Sequence, residues 1–314
     1  MPIGSQFILV SSFLSTHRFS LICVHLCSSV VPLVSDSMRN IKFTIAYDGT
    51  DFSGWQAQPG QSTVQGALTD VLEKLTERRL TIYAAGRTDA GVHAAGQVVN
   101  FRTESTLNTE EFQRAFNALL PPSIRVNAAE EVSPDFHSRW DALAKTYRYR
   151  IFRGRVVPPF LWKYVLHDPN EMNFDVMAEA ARQFMGEHDF TSFAASTGSE
   201  EDDRERTTIR TIYRSELLRT PNANSHHSAE EWVYVVRGKS FMRHMVRKIV
   251  GTLVDVGRGK LVAADLPELF ALRDRSKSGA TMPPHGLWLE NVEYPDPANS
   301  LASSDKQSNA RQQG

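Results

Sequence analysis

Leu80-Thr81-Ile82-Tyr83-Ala84, Gly86-Arg87-Thr88-Asp89-Ala90-Gly91-Val92-His93-Ala94 and Gln97-Val98-Val99-Asn100-Phe101-Arg102 read in succession as strand, loop and strand. The outer segments carry the β-branched and aromatic residues that suit a pleated surface. The nine residues between them are small or polar and set an acid, Asp89, near basic side chains. Loops braced at both ends by strands are frequent seats of catalysis, and small residues let another molecule approach the backbone. Alone, the same pattern also describes an Asp-Ala-Gly turn whose carboxylate bonds its own backbone.

Working outward, Ile41, Phe43, Ile45 and Tyr47 alternate with Lys42, Thr44 and Ala46, the signature of a half-buried strand ending at Asp48-Gly49. Ser62 with Gln65 forms a capping-box pattern, which predicts a helix whose apolar stripe is Val64, Ala67, Leu68, Val71, Leu72 and Leu75. A helix is predicted over 109–119, stopping before Pro121-Pro122, and a long strand over 144–152. The second half repeats this vocabulary. It has a helix over 173–185 with Met177, Ala181 and Phe184 on one face, strands near 207–218 and 231–238, and a long helix over 240–256. A shorter helix at 265–273 and a strand from Leu287 to Tyr294 follow. Strands and helices mix without the βαβα rhythm of a parallel sheet, which predicts an α+β fold of two similar halves, 38–152 and 153–295.

With 314 residues, 41% hydrophobic and 23% charged, the chain has the composition of a soluble globular protein and ample length for a core. Its net charge of -1 hides two basic stretches. Residues 139–155 hold Arg139, Lys145, Arg148, Arg150, Arg153 and Arg155 against Asp141. Residues 237–260 hold Arg237, Lys239, Arg243, Arg247, Lys248, Arg258 and Lys260 against Asp255. The compensating acids cluster at Glu200, Glu201, Asp202 and Asp203, which read as a solvated loop.

Both cysteines, Cys23 and Cys27, precede residue 38, so the main domain has no disulfide, thiolate zinc site or cysteine nucleophile. No HExxH spacing occurs, and Gly257-Arg258-Gly259-Lys260 fails as a phosphate loop because Val254 stands where a glycine is required. Residues 1–37 are apolar and Ser-rich but interrupted by His17, Arg18 and His25. They lack a basic start and any run of membrane-spanning length. The expectation is that they are an over-called or targeting extension, with the working protein starting at Met38. Residues 296–314 are polar and aperiodic and are predicted to be disordered.

The nine residues from Gly86 to Ala94 resemble, at every position, the active-site loop of the bacterial tRNA pseudouridine synthase A family. Further segments are similar in the same order. They are Tyr47-Asp48-Gly49-Thr50 with Gly54-Trp55-Gln56, Lys145-Thr146-Tyr147-Arg148-Tyr149, and Gly186-Glu187-His188-Asp189-Phe190 with Ser192-Phe193. Phe241-Met242-Arg243-His244-Met245-Val246-Arg247 with Gly251, and Gly286-Leu287-Trp288-Leu289 through Val292 and Tyr294, complete the set. The resemblance covers roughly residues 40–295 and implies the pseudouridine synthase fold, mainly antiparallel sheet flanked by helices.

It also implies an activity: isomerisation of uridine to pseudouridine at positions 38, 39 and 40 of the tRNA anticodon stem-loop, in the cytoplasm, by a homodimer that needs no cofactor or metal. The family's nucleophile falls on Asp89. A carboxylate suits the role because it can attack carbon and leave again. Attack at C1′, attack on the base and elimination to a glycal are all compatible with the loop. Tyr147 matches a substrate-contacting tyrosine whose ring can stack on an extruded uracil and whose hydroxyl can serve proton transfer at C5. Arg247 matches the arginine that pairs with the nucleophile, a fork that orients a carboxylate and favours its anionic form.

Arg87, two residues before Asp89, is placed to fill the stack as the target base leaves. Arg148, Arg150 and Arg243 are expected to contact RNA phosphates. His93, His188 and His244 have only weak claims to a part in the chemistry, and His93 and His188 are expected to serve structural hydrogen bonding. A non-catalytic RNA-binding member of the fold is the main rival reading, opposed by the joint presence of Asp89, Tyr147 and Arg247. A glycoside hydrolase would need two flanking acids, and the loop offers one.

Overall fold

The computed structural model describes residues 38–195, 207–221 and 230–296. The N-terminal extension, the acidic loop at 200–203 and the tail beyond 296 lie outside the described residues. Strands β1 (Arg39–Tyr47), β3 (His93–Thr103) and β4 (Ile124–Val132) pair antiparallel, with the two-residue β2 (Tyr83–Ala84) on β3. Strands β5 (Ala144–Phe152), β8 (Ile209–Pro221) and β9 (Glu230–Gly238) form a second antiparallel set, edged by β7 (Gly186–Asp189). The short β6 (Leu166–His167) adds to β5.

The last strand, β10 (Leu287–Glu293), inserts between the two sets, parallel to β3 through Trp288 and Leu289 and antiparallel to β5. One sheet results, in the order β4-β1-β3-β10-β5-β9-β8-β7. The α+β architecture with mainly antiparallel pairing is as predicted. Topology places β5 with β9 and β10, although it closes the first half in sequence.

Two helices serve the first set, α1 (Val64–Thr76) and α2 (Thr109–Leu119). Helix α2 buries Phe112 and Phe116 against Phe43 and Phe101, with Phe43 edge-on to Phe116 at 4.9 Å. Each fully buried aromatic ring of this kind stabilises by roughly 3–5 kcal/mol relative to alanine. The cap of α1 corrects the sequence reading. Thr63, not Ser62, is extended and accepts from the amide of Gly66, while the Gln65 side chain reaches out to Gln56, Ala57 and Ile82. Ser62 instead gives its carbonyl to Ser53.

The second set carries α3 (Phe174–Arg182), α4 (Met245–Gly257) and the short α5 (Leu266–Leu272). Helix α4 starts five residues later than its apolar period suggests. His244 holds a left-handed conformation, φ 61°, that turns the chain from β9 into the helix axis. Phe241, inside the predicted span, instead precedes the helix and meets Tyr147 edge-on at 5.0 Å. Of the strands that escaped the sequence reading, β6 is two residues long, and β4 and β7 are the two edges of the sheet. Edges need less apolar surface, and Asn127, Glu130, Glu187 and His188 show it. Among the described residues no helix is long and apolar enough to cross a membrane.

Candidate active site

The loop between β2 and β3 is clamped from several sides. The segment after β1 runs beneath it: Trp55 donates its amide to the carbonyl of Thr88 at 3.0 Å, and Gly91 donates to Phe52 at 3.3 Å. Gly54 makes this possible. Its φ is +94°, and a Cβ there would sit 2.9 Å from the Thr88 carbonyl oxygen and 3.1 Å from the Ala90 nitrogen. Only glycine combines that conformation with that closeness. From the sheet side, the Tyr47 and Thr88 hydroxyls share a hydrogen bond of 2.8 Å, and Gln97 donates to the Gly86 carbonyl at 2.7 Å. Burial pushes the Tyr47 phenol up to about 12, so it stays a neutral hydrogen-bonding group.

This scaffold presents the Asp89 carboxylate, partly open to solvent, to the first turn of α4. Arg247 Nη1 donates to Asp89 Oδ2 at 3.1 Å, and its Nε donates to the Met282 carbonyl at 2.6 Å, so the guanidinium is held at two points. The 279–283 segment can supply that carbonyl because Gly251 of α4 lets it lie against the helix. A Cβ at Gly251 would fall 1.9 Å from the Ala280 oxygen. The expected pairing of Arg247 with Asp89 is therefore present in the structure.

Tyr147 lies 7% exposed on the same side of the sheet. Burial raises its pKa, with the Tyr47 hydroxyl and the Asp89 charge adding to the effect, so the phenol is neutral at ordinary pH. Its hydroxyl makes no hydrogen bond among the described residues and points towards Gly86, where a Cβ would lie 3.6 Å away.

Other predicted residues fall in different places. Arg87 is exposed on the loop beside Asp89 and has no carboxylate partner among the described residues. Arg243 is exposed but precedes α4, in the turn, where its carbonyl accepts from Ala195. It therefore lies outside the helix, although the predicted span 240–256 included it. Arg148 and Arg150 alternate with Tyr147 and Tyr149 along β5 and so occupy the reverse face of the sheet. Arg148 pairs with Glu290 at 3.1 Å, and Arg150 forks onto Glu231 at 2.5 and 2.9 Å.

His93 and His188 are built into the structure. His93 Nδ1 accepts from the Gly49 amide, its Nε2 meets the Lys163 carbonyl, and its ring stacks on Trp288 at 4.6 Å. His188 bonds the Met185 carbonyl and stacks on Phe270. His244 is different. Its Nε2 lies 3.5 Å from Asp89 Oδ2. Burial and the cations Arg247, Arg243 and Lys248 lower its pKa although Asp89 pulls the other way, which leaves the imidazole neutral. Sequence reading undervalued this residue, since its place depends on the left-handed turn and not on helical spacing.

A carboxylate oriented by an arginine, with a buried neutral phenol close enough to feel its charge, suits covalent or electrostatic work at carbon. The family model described as tRNA pseudouridine synthase matches residues 44–141 and 180–295, which include Asp89 and Arg247. The protein is thus an isomerase of the tRNA pseudouridine synthase class.

Over 257 residues the chain is 48% identical to the tRNA pseudouridine synthase A of Solibacter usitatus, covering 82% of this chain and 100% of that protein. It is 41% identical to that of Caldicellulosiruptor saccharolyticus over the same shares. With that of Anoxybacillus flavithermus it is 43% identical over 82% of this chain and 99% of that protein. The chain belongs to the tRNA pseudouridine synthase A family.

Proposed function

We propose that the enzyme converts uridines 38, 39 and 40 of the tRNA anticodon stem-loop to pseudouridine, with Asp89 as the nucleophile. The observation that carries this reading is the Asp89 carboxylate, held by Arg247 and partly open to solvent. In the reaction the N1–C1′ bond breaks, the uracil turns, and C5 bonds to C1′. N1 gains a proton and C5 loses one. Nothing is oxidised, reduced or hydrolysed, so the chemistry asks for no metal or organic cofactor.

Asp89 attacks and later departs, while the fixed Arg247 keeps its oxygens aimed without reorganisation. The Tyr147 ring stacks on the extruded uracil, and its unbonded hydroxyl relays the C5 proton. Arg87 fills the space the base leaves in the stack, and Arg243 contacts the phosphate backbone. The working form is proposed to be a cytoplasmic homodimer.

The test is tritium release from 5-³H-uridine-labelled tRNA, because the C5 hydrogen must leave. Asp89→Asn preserves shape but replaces the nucleophile with an amide. Release should fall at least about a thousandfold, roughly 4 kcal/mol of barrier, while tRNA still binds. Substantial release by that variant would overturn the assignment.

A further inference from the structure

Lys145 has no place in the chemistry just described, yet its position is unusual. It opens β5 two residues before Tyr147 and is 8% exposed. Its Cε would lie 3.5 Å from a Cβ at Gly86, the same point towards which the Tyr147 hydroxyl is directed. The ammonium therefore flanks the base of the catalytic loop. Among the described residues it has no carboxylate partner and no hydrogen bond. Burial, followed by the charge of Arg139, lowers its pKa to about 8. Holding a cation away from water without a counter-ion is costly, and proteins seldom do so unless an anion arrives from outside.

Arg139 connects this ammonium to a second unusual feature. Residues 137–141 form a tight turn: the His137 amide donates to Asp141 Oδ2 at 2.8 Å, and the Arg139 amide donates to His137 Nδ1 at 3.0 Å. The turn displays Trp140 with 71% of its surface open. The Arg139 guanidinium lies over the indole at 4.8 Å, and His137 sits 5.7 Å from it and 4.7 Å from Tyr83 of β2, the strand that leads into the Asp89 loop. An exposed indole on a rigid turn, next to cations, is the arrangement that receives unpaired bases and their phosphates.

We propose that Lys145 and Trp140 form a nucleotide subsite beside the catalytic loop. Lys145 takes a phosphate next to the target uridine, and Trp140 takes the base of an unpaired neighbouring nucleotide. Both act as positioning residues, and the proposal rests on the reading of the chain as a tRNA-modifying enzyme.

The experiment uses the full chain and unmodified tRNA transcript, with affinity measured across a salt series and turnover read as tritium release. Lys145→Met should weaken binding about tenfold and make the slope of log Kd against log salt shallower by about one. Its melting temperature should not fall, since the substitution removes an uncompensated cation. Trp140→Leu should weaken binding about five- to thirtyfold and raise KM accordingly, with the single-turnover rate of bound RNA retained. Trp140→Phe, which keeps a stacking face, should stay within about threefold of wild type.

An unchanged salt slope in Lys145→Met would overturn the phosphate assignment. Equal losses in Trp140→Leu and Trp140→Phe would overturn the stacking assignment. A change of oligomeric state in Trp140→Leu with unaltered tRNA affinity would make the indole a protein contact and overturn it as well. If wild type itself releases no tritium, the proposed function fails. If wild type is active and both variants bind normally, only this inference does.

Discussion

Strand β5 shows two faces built from one run, Lys145 to Arg150, and they are treated oppositely. On the reverse face Arg148 and Arg150 are each answered by a carboxylate, Glu290 and Glu231. On the front face, among the described residues, Lys145 has no counter-ion and the Tyr147 hydroxyl has no partner, and Asp89 is partly open to solvent. Both faces are rich in polar groups, so composition does not distinguish them. Compensation does. A face whose charges are internally neutralised has little charge left to offer, whereas a face with an unanswered charge is set up for something that is not part of the chain.

The strongest way to break this contrast is to remove the Arg247–Asp89 pair. Arg247→Ala should leave Asp89 free to turn away from the pocket. Tritium release should fall by about two to three orders of magnitude, in line with losing a preorganised charge partner, whereas Arg247→Lys should recover part of it. Activity within a few fold of wild type in Arg247→Ala would show that Asp89 is oriented by the loop alone.

Tyr147→Phe sharpens the comparison by separating ring from hydroxyl. The stacking face remains, so tRNA affinity should stay within about twofold, while turnover drops roughly ten- to a hundredfold through loss of the proton relay. Since the hydroxyl is unbonded, stability should not suffer. A loss of melting temperature would mean that the hydroxyl has a structural partner.

Gly54→Ala tests the clamp. Its Cβ would press on the backbone of Thr88 and Asp89 at a positive φ, so a cost of about 1–3 kcal/mol is expected, together with weaker activity in the protein that remains folded. Unfolding midpoints and single-turnover rates read the two effects separately. A variant with wild-type values for both would show that the loop tolerates displacement.

The smallest effects compare the two faces directly. Arg243→Ala, beside the site, should weaken tRNA binding about three- to tenfold, and more at low salt. Arg148→Ala, on the reverse face and partly exposed, should cost at most about 1 kcal/mol of stability and weaken tRNA binding less. Equal losses from the two would mean that RNA wraps onto the reverse face, which would restore the role first expected for Arg148.

What the sequence determined by itself is the class of fold and the family, together with the candidate site residues. Asp89, Tyr147 and Arg247 sit in contiguous motifs whose local patterns are strong. The strand and helix periods of β1, β5, α2 and β10 are legible because each buries one face of a regular element. Tertiary structure alone decided which charges are answered. Glu290 lies 142 residues from Arg148, and Arg247 lies 158 residues from Asp89. Pairing across such separations depends on the insertion of β10 between the two strand sets, and no short window of sequence contains it.

The same holds for His244, whose position next to Asp89 depends on a left-handed residue where the apolar period read as helix. It holds again for Lys145, whose isolation among the described residues is a matter of which neighbours the fold brings near. Local patterns encode what a segment will become. Electrostatic compensation is a property of neighbours brought together by the completed sheet, and so only the folded chain sets it.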